Sequence, residues 1–577
     1  MFRTARRLTP LLSTLLISAA TVGASGVMTG CADENDPATW VKKLDDAATR
    51  APAVSRLIQF YEDKMTQDKD DRNGPQVKPL LDLIVEPMTQ RCVAGDLDDR
   101  TNSKLIKFLS DTRDPKAEPC IIKTLKDYKP DATEEDVRSV SRAVAGMKLK
   151  SAAGPLMEVF TKIHNSKPKA QTATRDVHDA MIALEDPAWE GQLITLLGHP
   201  VDQKEQATFT DEMYWQVTAV ELLGRMKSAN AVKPLLKLML TPAKGAAQGD
   251  AVLALVKIGK PAIAPTVALL RGDDKELSEY AKAEALKAAG TDEAAKKGAA
   301  TAYVGAAALV LATIGREETA APLIEALNKS DSDIAKAIMA RELTKVPLSP
   351  ATKKAFQDTY DKMPVALSIP GARGGAREVL LGVAPNFFDS TFVPWIGKSV
   401  SGMKGDDGDL APIRESAMAA TLNLATKDQI KFIDDLAGMK AGEGTLGKGY
   451  EKEIKLAKGL LAECGDKADC YMSKLTDPAV NTDDKQAIGI KSAYMLGELN
   501  VPEVRTKIMA VYPKISHPAI RFAALTTVDA FSPKGDPAIA AQLQKAVDDA
   551  KATKDADKMR FNPTLNQFIY RLNARAQ

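Results

Sequence analysis

The chain has 577 residues, of which 45% are hydrophobic, 27% charged and only 5% aromatic; 78 Lys+Arg stand against 76 Asp+Glu, a formal charge of +2. That length exceeds what one hydrophobic core normally holds, so the chain needs several domains or an elongated repeat. The apolar fraction excludes wholesale disorder, and the near-neutral balance argues against a nucleic-acid binder, which would show a basic excess or stripe.

The first segment reads as an export signal. Arg3, Arg6 and Arg7 form a positive start, Leu11–Ala20 an apolar run, and Gly23-Ala24-Ser25-Gly26 a small-residue end. The apolar run is too short for a spanning helix. Met28-Thr29-Gly30-Cys31 then resembles the lipobox of bacterial lipoproteins, with Met28 where that family usually has Leu. The resemblance implies cleavage before Cys31, acylation of its thiol and amine (palmitate being a typical chain), and retention at a membrane. An ordinary signal peptide cut near Ala24 or Ala32 is the alternative, and the residues after Arg6-Arg7 fit twin-arginine export poorly. Residue Ala32, not Asp, follows the cysteine, which by resemblance to the enterobacterial sorting pattern favours the outer membrane facing the periplasm. Each buried methylene contributes about 0.8 kcal/mol, so several chains would hold the protein firmly. Residues 1–30 read as the signal peptide and 31–48 as a tether; losing 1–30 removes three arginines and no acid, which leaves 75 cations against 76 carboxylates.

With Cys31 set aside, Cys92, Cys120, Cys464 and Cys470 remain. An even count in an exported chain suggests disulfides, and spacing pairs Cys92 with Cys120 and Cys464 with Cys470; four buried thiols are the alternative. Neither pair has zinc-ligand spacing, and no histidine lies nearby, so no metal site is expected.

From there a helical period recurs in pairs. Ala219, Leu222, Leu223 and Met226 build one apolar face, and Val232, Leu235, Leu236 and Met239 repeat it after a polar gap. Ala251/Ala254/Leu255/Ile258 with Ala262/Pro265/Thr266/Leu269 is a second copy, and Ala307/Val310/Leu311/Ile314 with Ala320/Leu323/Ile324/Leu327 a third. Gly224, Gly259 and Gly315 near the end of each first helix suit left-handed termini, and Pro234, Pro265 and Pro322 suit the start of each second helix. Leu223-Gly224, Ile314-Gly315 and Leu496-Gly497, each followed by Pro and a further apolar helix, resemble HEAT repeats, particularly the short subtype shared with phycobilisome-lyase-like proteins. The resemblance implies an all-α fold: an α-solenoid of roughly a dozen stacked antiparallel helix pairs over residues 49–560, closed by a capping helix over 561–577. A bundle array without regular stacking is the alternative.

The densest aromatic stretch, Phe387, Phe388, Phe392 and Trp395, is a candidate partner-binding patch or, more simply, core filling. Chemistry finds little support. Gly442–Gly449 imitates a phosphate loop but has glycine where Ser or Thr should reach magnesium, and the preceding 429–439 reads as helix rather than strand. Asp68–Gly74 imitates a calcium loop but has Lys69 at its first ligand position and Leu80 in place of the final acid. The four histidines, His164, His178, His199 and His517, form no metal-binding run, and no nucleophile elbow is present. The expected function is therefore a non-enzymatic, lipid-anchored scaffold of a bacterial cell envelope that binds protein partners and needs no cofactor. Competing readings are an enzyme or lyase-type accessory factor, and a small-molecule carrier using Phe387–Trp395.

Overall fold

The computed structural model describes residues 33–369, 372–405, 407–441 and 444–577. The signal segment and Cys31 lie outside them, as do Gly442 and Glu443 of the glycine-rich loop. The described chain is all-α; its only strands are the residue pairs Lys440–Ala441 and Gly444–Thr445, which turn the glycine-rich loop into a minimal antiparallel hairpin. It divides into two compact units, one up to Lys123 and one from Thr124, where periodicity alone runs a single array over 49–560.

The first unit holds helices Pro37–Lys43, Arg50–Gln67, Val77–Ala94 and Asp99–Thr112. The tether expected over 31–48 is already folded from Pro37: the Asp36 carboxylate caps that helix, and Leu44 beyond it is buried. Arg50 Nε donates to the Leu44 carbonyl at 2.8 Å and closes the helix end. Asp68 does not await a cation, because its Oδ2 accepts the amides of Gln76 and Val77 at 2.8 and 2.9 Å and caps the next helix. Cys92 and Cys120 form a disulfide that ties the Val77–Ala94 helix to the Glu118–Lys126 helix.

The second unit consists of stacked helix pairs. The three sharpest copies in the sequence appear as Gln206–Arg225 with Val232–Met239, Gly245–Ile258 with Lys260–Arg271, and Ala302–Ile314 with Glu317–Lys329. First helices pack on first helices. The Gly245–Ile258 helix touches Ala302–Ile314, and contacts pass on through Asp333–Glu342, Gly375–Val383, Asp407–Leu424, Gln486–Glu498 and Pro518–Ala530 to Ala556–Ala576. That last helix then packs back on Gly245–Ile258, so the circuit closes. The helix assigned to 561–577 begins at Ala556, capped by Asp555, and its partners include elements more than 200 residues earlier in the chain.

The punctuation residues act in two ways. Gly259 and Gly315 take positive φ, +75° and +64°, as expected of helix ends. Gly224 and Gly497 do not; both stay within their helices, and the left-handed residues are Lys227 and Asn500, three positions later. Gly224 instead permits a close crossing, since a Cβ there would stand 2.7 Å from Ala254 Cα. Pro265 and Pro322 lie inside their helices rather than in the first turn, so each removes one helical hydrogen bond. Pro234 keeps its place near a helix start. The second disulfide, Cys464–Cys470, staples helix Glu451–Cys464 to Ala468–Thr476.

The circuit brings helix C-termini together, and each leaves carbonyls without helical partners. Cationic side chains fill the deficit. Arg575 Nη1 donates to the Asp529 and Ser532 carbonyls at 2.8 and 3.3 Å, and its Nη2 to the Lys345 carbonyl at 3.1 Å. Arg571 Nη2 reaches the same Lys345 carbonyl at 2.9 Å. Arg316 Nη1 in turn donates to the carbonyls of Ala574 and Arg575, both at 3.2 Å. Lys491, 1% exposed, donates to the Leu422 and Ala425 carbonyls at 2.8 and 2.7 Å. Burial pulls the Lys491 ammonium down to about 7.

Two outcomes follow. Gly224→Ala, which would add about 1 kcal/mol of stability in an open helix, should cost about 1–3 kcal/mol here by forcing the two helices apart, measured by chemical denaturation. Between pH 7 and the unfolded lysine value, the native state holds fewer protons than the unfolded chain, so the Lys491 contribution to stability rises with pH. The denaturation midpoint of the parent should therefore climb more steeply through this alkaline window than that of Lys491→Met.

Candidate partner-binding surface

The aromatic stretch, read as a partner-binding patch or more simply as core filling, is mostly built into the core. Phe387 and Phe392 are 1% exposed and stack at 5.1 Å, with Phe356 edge-on to Phe387 at 5.0 Å. Phe388 is 6% exposed and packs on Tyr494 and Phe531. Only Trp395 keeps a polar edge outward, its Nε1 donating to Asp361 Oδ1 at 3.1 Å. As a partner-binding patch Phe387 and Phe392 fail, because rings that fill the gap between neighbouring helices have no face left to offer, and Phe388 keeps only an edge on a small cavity. The carrier reading loses the Phe387–Phe392 stack for the same reason.

The surface with unusual chemistry lies elsewhere, on the helices Gln171–Leu184, Gln206–Arg225 and Gly245–Ile258 and the last helix. His178 Nε2 lies 3.1 Å from Glu221 Oε2, and His178 Nδ1 3.3 Å from Asp179 Oδ1. Carboxylates beside both ring nitrogens favour the imidazolium form, in which each nitrogen carries a hydrogen. The hydrogen bond to Glu221 raises the His178 pKa, and the same bond holds the Glu221 carboxyl below its ordinary range. Arg225 pairs closely with Glu185 and sits 3.9 Å from Glu221. Lys257 lies over the Tyr570 ring at 4.4 Å, and burial lowers its pKa; burial also raises that of Asp250 nearby. Glu185, Arg225, Lys227, Lys257 and Tyr570 line a groove of about 590 Å³. A second open groove, of about 830 Å³, has Arg271, Tyr303, Glu325 and Lys329 in its walls, with Glu325 bridging Arg271 and Lys329 at 2.6 and 2.7 Å. Both are open hollows lined by charges of both signs, and among the described residues no cluster of three or more His, Cys, Asp or Glu could hold a metal.

The four cysteines are brought together in the pairs that their spacing suggests. The histidines give a mixed outcome. His517 caps its helix, accepting the Ala519 amide at 3.2 Å. His164 Nδ1 lies 2.9 Å from Asp211 Oδ2, a carboxylate within helix Gln206–Arg225 that also accepts from Ser166, away from the groove lining. Sequence reasoning missed the His178–Glu221 pair and the arginines of the last helix. The second had a signal: Arg571 and Arg575 stand four apart among Phe568 and Leu572, which puts charge on an otherwise apolar stripe.

No family model matches the chain, and no curated protein matches it. Solved structures do. An engineered protein is 15% identical, with 93% of this chain and 99% of that one covered and a TM-score of 0.22. Importin beta is 11% identical over 94% of this chain and 79% of that one, with a TM-score of 0.29. The class is defined by the chain's own geometry: consecutive antiparallel helix pairs, stacked first helix on first helix, make it an α-helical-repeat protein.

The raised pKa of His178 fixes the sign of one pH effect. Its contribution is fully present below the unfolded histidine value, about 6.5, and is lost as pH rises through the folded value. His178→Gln should therefore flatten the fall in stability between mildly acidic and mildly alkaline pH, by less than about 1 kcal/mol because the pair is partly solvated. Equal slopes in the two proteins would remove the pair from the account.

Proposed function

We propose that the protein is a lipid-anchored scaffold of a bacterial cell envelope, held at a membrane through Cys31, that binds protein partners along its helical-repeat surface and performs no chemistry. The observation that carries the reading is the stacking of helix pairs, which creates long polypeptide-sized surfaces rather than one enclosed pocket. Support for the compartment comes from the two disulfides, which persist in oxidising surroundings, together with the export signal and the lipobox-like Met28–Cys31. No described helix is long and apolar enough to cross a membrane, so membrane retention would rest on the acylated cysteine. Ala32 after the cysteine, by resemblance to the enterobacterial sorting pattern, favours placement at the outer membrane, facing the periplasm. The two grooves are the surfaces assigned to partners, with Lys257 in the wall of one and Lys329 in the wall of the other.

Two measurements test this. The mature protein should begin at Cys31 with acyl chains detectable by intact mass, and Cys31→Ser should move it from the membrane to the soluble fraction; an unmodified terminus elsewhere would refute the anchor. A photo-crosslinker placed at Asn573 or Ser330 should capture a protein in intact cells, and Lys257→Glu or Lys329→Glu should reduce that capture severalfold. Crosslinks indifferent to these charges would remove the grooves from the proposal.

A further inference from the structure

The last helix separates two hollows. Tyr570, Asn573, Ala574 and Gln577 face the 590 Å³ groove, while Phe568, Arg571 and Arg575 face the other way, as the 100° step per residue requires. On that second side lies a smaller cavity of about 170 Å³. Pro347, Leu348, Phe388, Phe522 and Phe568 provide apolar walls.

Its charged end is unusual. Arg571, Arg575 and Asp529 all line the cavity, and one carboxylate serves both guanidiniums: Asp529 is 2.8 Å from Arg571 and 3.1 Å from Arg575. Lys345, also in the lining, is already paired with the buried Glu342 at 2.6 Å. Glu342 also pairs with Arg341 at 2.7 Å, so the cations around this end outnumber the carboxylates. The Nε atom of Arg571 has no hydrogen-bond partner; that of Arg575 has none either, but it lies against Gly315, outside the cavity lining. Buried guanidinium donors without acceptors are costly, and an arriving anion would relieve them.

The apolar end is equally distinctive. Phe522 is 51% exposed at the lip, in a chain with few aromatic residues, with its ring 6.1 Å from that of Phe568. Phe388 holds a left-handed backbone, φ 49° and ψ 47°, rare for a bulky side chain, and is locked there by the Tyr494 and Phe531 rings. Strain of this kind persists where the surroundings fix a side chain in a set place. The ligand that matches both ends is a monoanion with a flat headgroup and one apolar substituent. A carboxylate pairs with guanidinium edge to edge, whereas the extra oxygens of a phosphate or sulfate would lie unpaired against Pro, Leu and Phe. The volume is below the roughly 300–1,000 Å³ of sites for drug-sized ligands, so the substituent is no larger than a ring or one side chain.

We propose that this cavity, between the last helix and the ends of helices Asp333–Glu342 and Pro518–Ala530, binds a carboxylate bearing a single apolar group. That chemistry is shared by a free arylacetate and by the C-terminal residue of a polypeptide. The site is distinct from the two grooves, so its failure and theirs can be told apart.

The test is calorimetric titration of the full chain with phenylacetate, with a short peptide ending in a free Phe carboxylate, and with the same peptide amidated. The expected result is saturable binding of at least one acid, with the amide at least about tenfold weaker. Tighter binding of the peptide acid would identify a chain terminus as the source, and tighter binding of phenylacetate a free acid. Phe522→Ala, a change at an exposed position that leaves thermal stability unaltered, should weaken the bound acid by about tenfold. Arg571→Gln should abolish binding. No saturation by either acid at millimolar concentration, equal binding of acid and amide, or indifference to Phe522→Ala would overturn the assignment.

Discussion

The second unit depends on how buried helix C-termini are satisfied. Every helix ends with carbonyls that lack an amide partner and carry a partial negative charge. When helix pairs wind into a circuit, several such ends face protein instead of water. Each receives a cation from another helix: Lys244 on the Leu197 carbonyl at 2.6 Å, Arg377 on Met363 at 2.6 Å, Lys491 on Leu422 and Ala425, and Arg505 on Phe531 at 3.3 Å. Arg571 and Arg575 do the same for Lys345, Asp529 and Ser532. The bonds of Lys244 and Lys491 are buried while those of Arg377 and Arg505 are part-buried, and removing a buried donor leaves its carbonyl stranded.

This device explains why the last helix is more than a polar lid on a stack. Its two arginines cap helices that end near Lys345 and Asp529, and its own terminal carbonyls are capped by Arg316. The exchange is reciprocal across more than 200 residues of sequence. Gly315 belongs to the same arrangement: with its positive φ it ends one helix, and a Cβ on it would come within 2.8 Å of the Arg575 guanidinium. The aromatic stretch at 387–392 fills the adjacent space, where Gly497 leaves room for the Phe388 ring. The core-filling reading of this stretch holds, and its neighbours are other members of the circuit.

The proposed role fits these physical features. A closed circuit of helices holds its outer grooves in fixed relation, which suits a scaffold more than a hinge-driven enzyme. The two disulfides secure short-range corners that the alanine-rich, aromatic-poor core stabilises only weakly. The proposed acyl anchor would then add location without demanding anything of the fold.

By itself the sequence determined the helix class, the pairing of helices in the three clearest copies and the partners of the four cysteines. Each is encoded locally, in a 3.6-residue apolar period, in short polar gaps or in nearby cysteines. It also mis-assigned some local signs. Gly224 looks like a helix end but is a crossing point, because only the neighbour Ala254 distinguishes the two roles. Asp68, in a segment where Lys69 and Leu80 already argue against calcium, shows its actual role only when the amides of Gln76 and Val77 meet its carboxylate. The closure of the circuit, the burial of Phe387 and Phe392, the His178–Glu221 pair and the arginine-lined cavity were decided by tertiary structure alone. Each rests on groups that are distant in sequence, and a periodic pattern states which face of a helix is buried without stating against what.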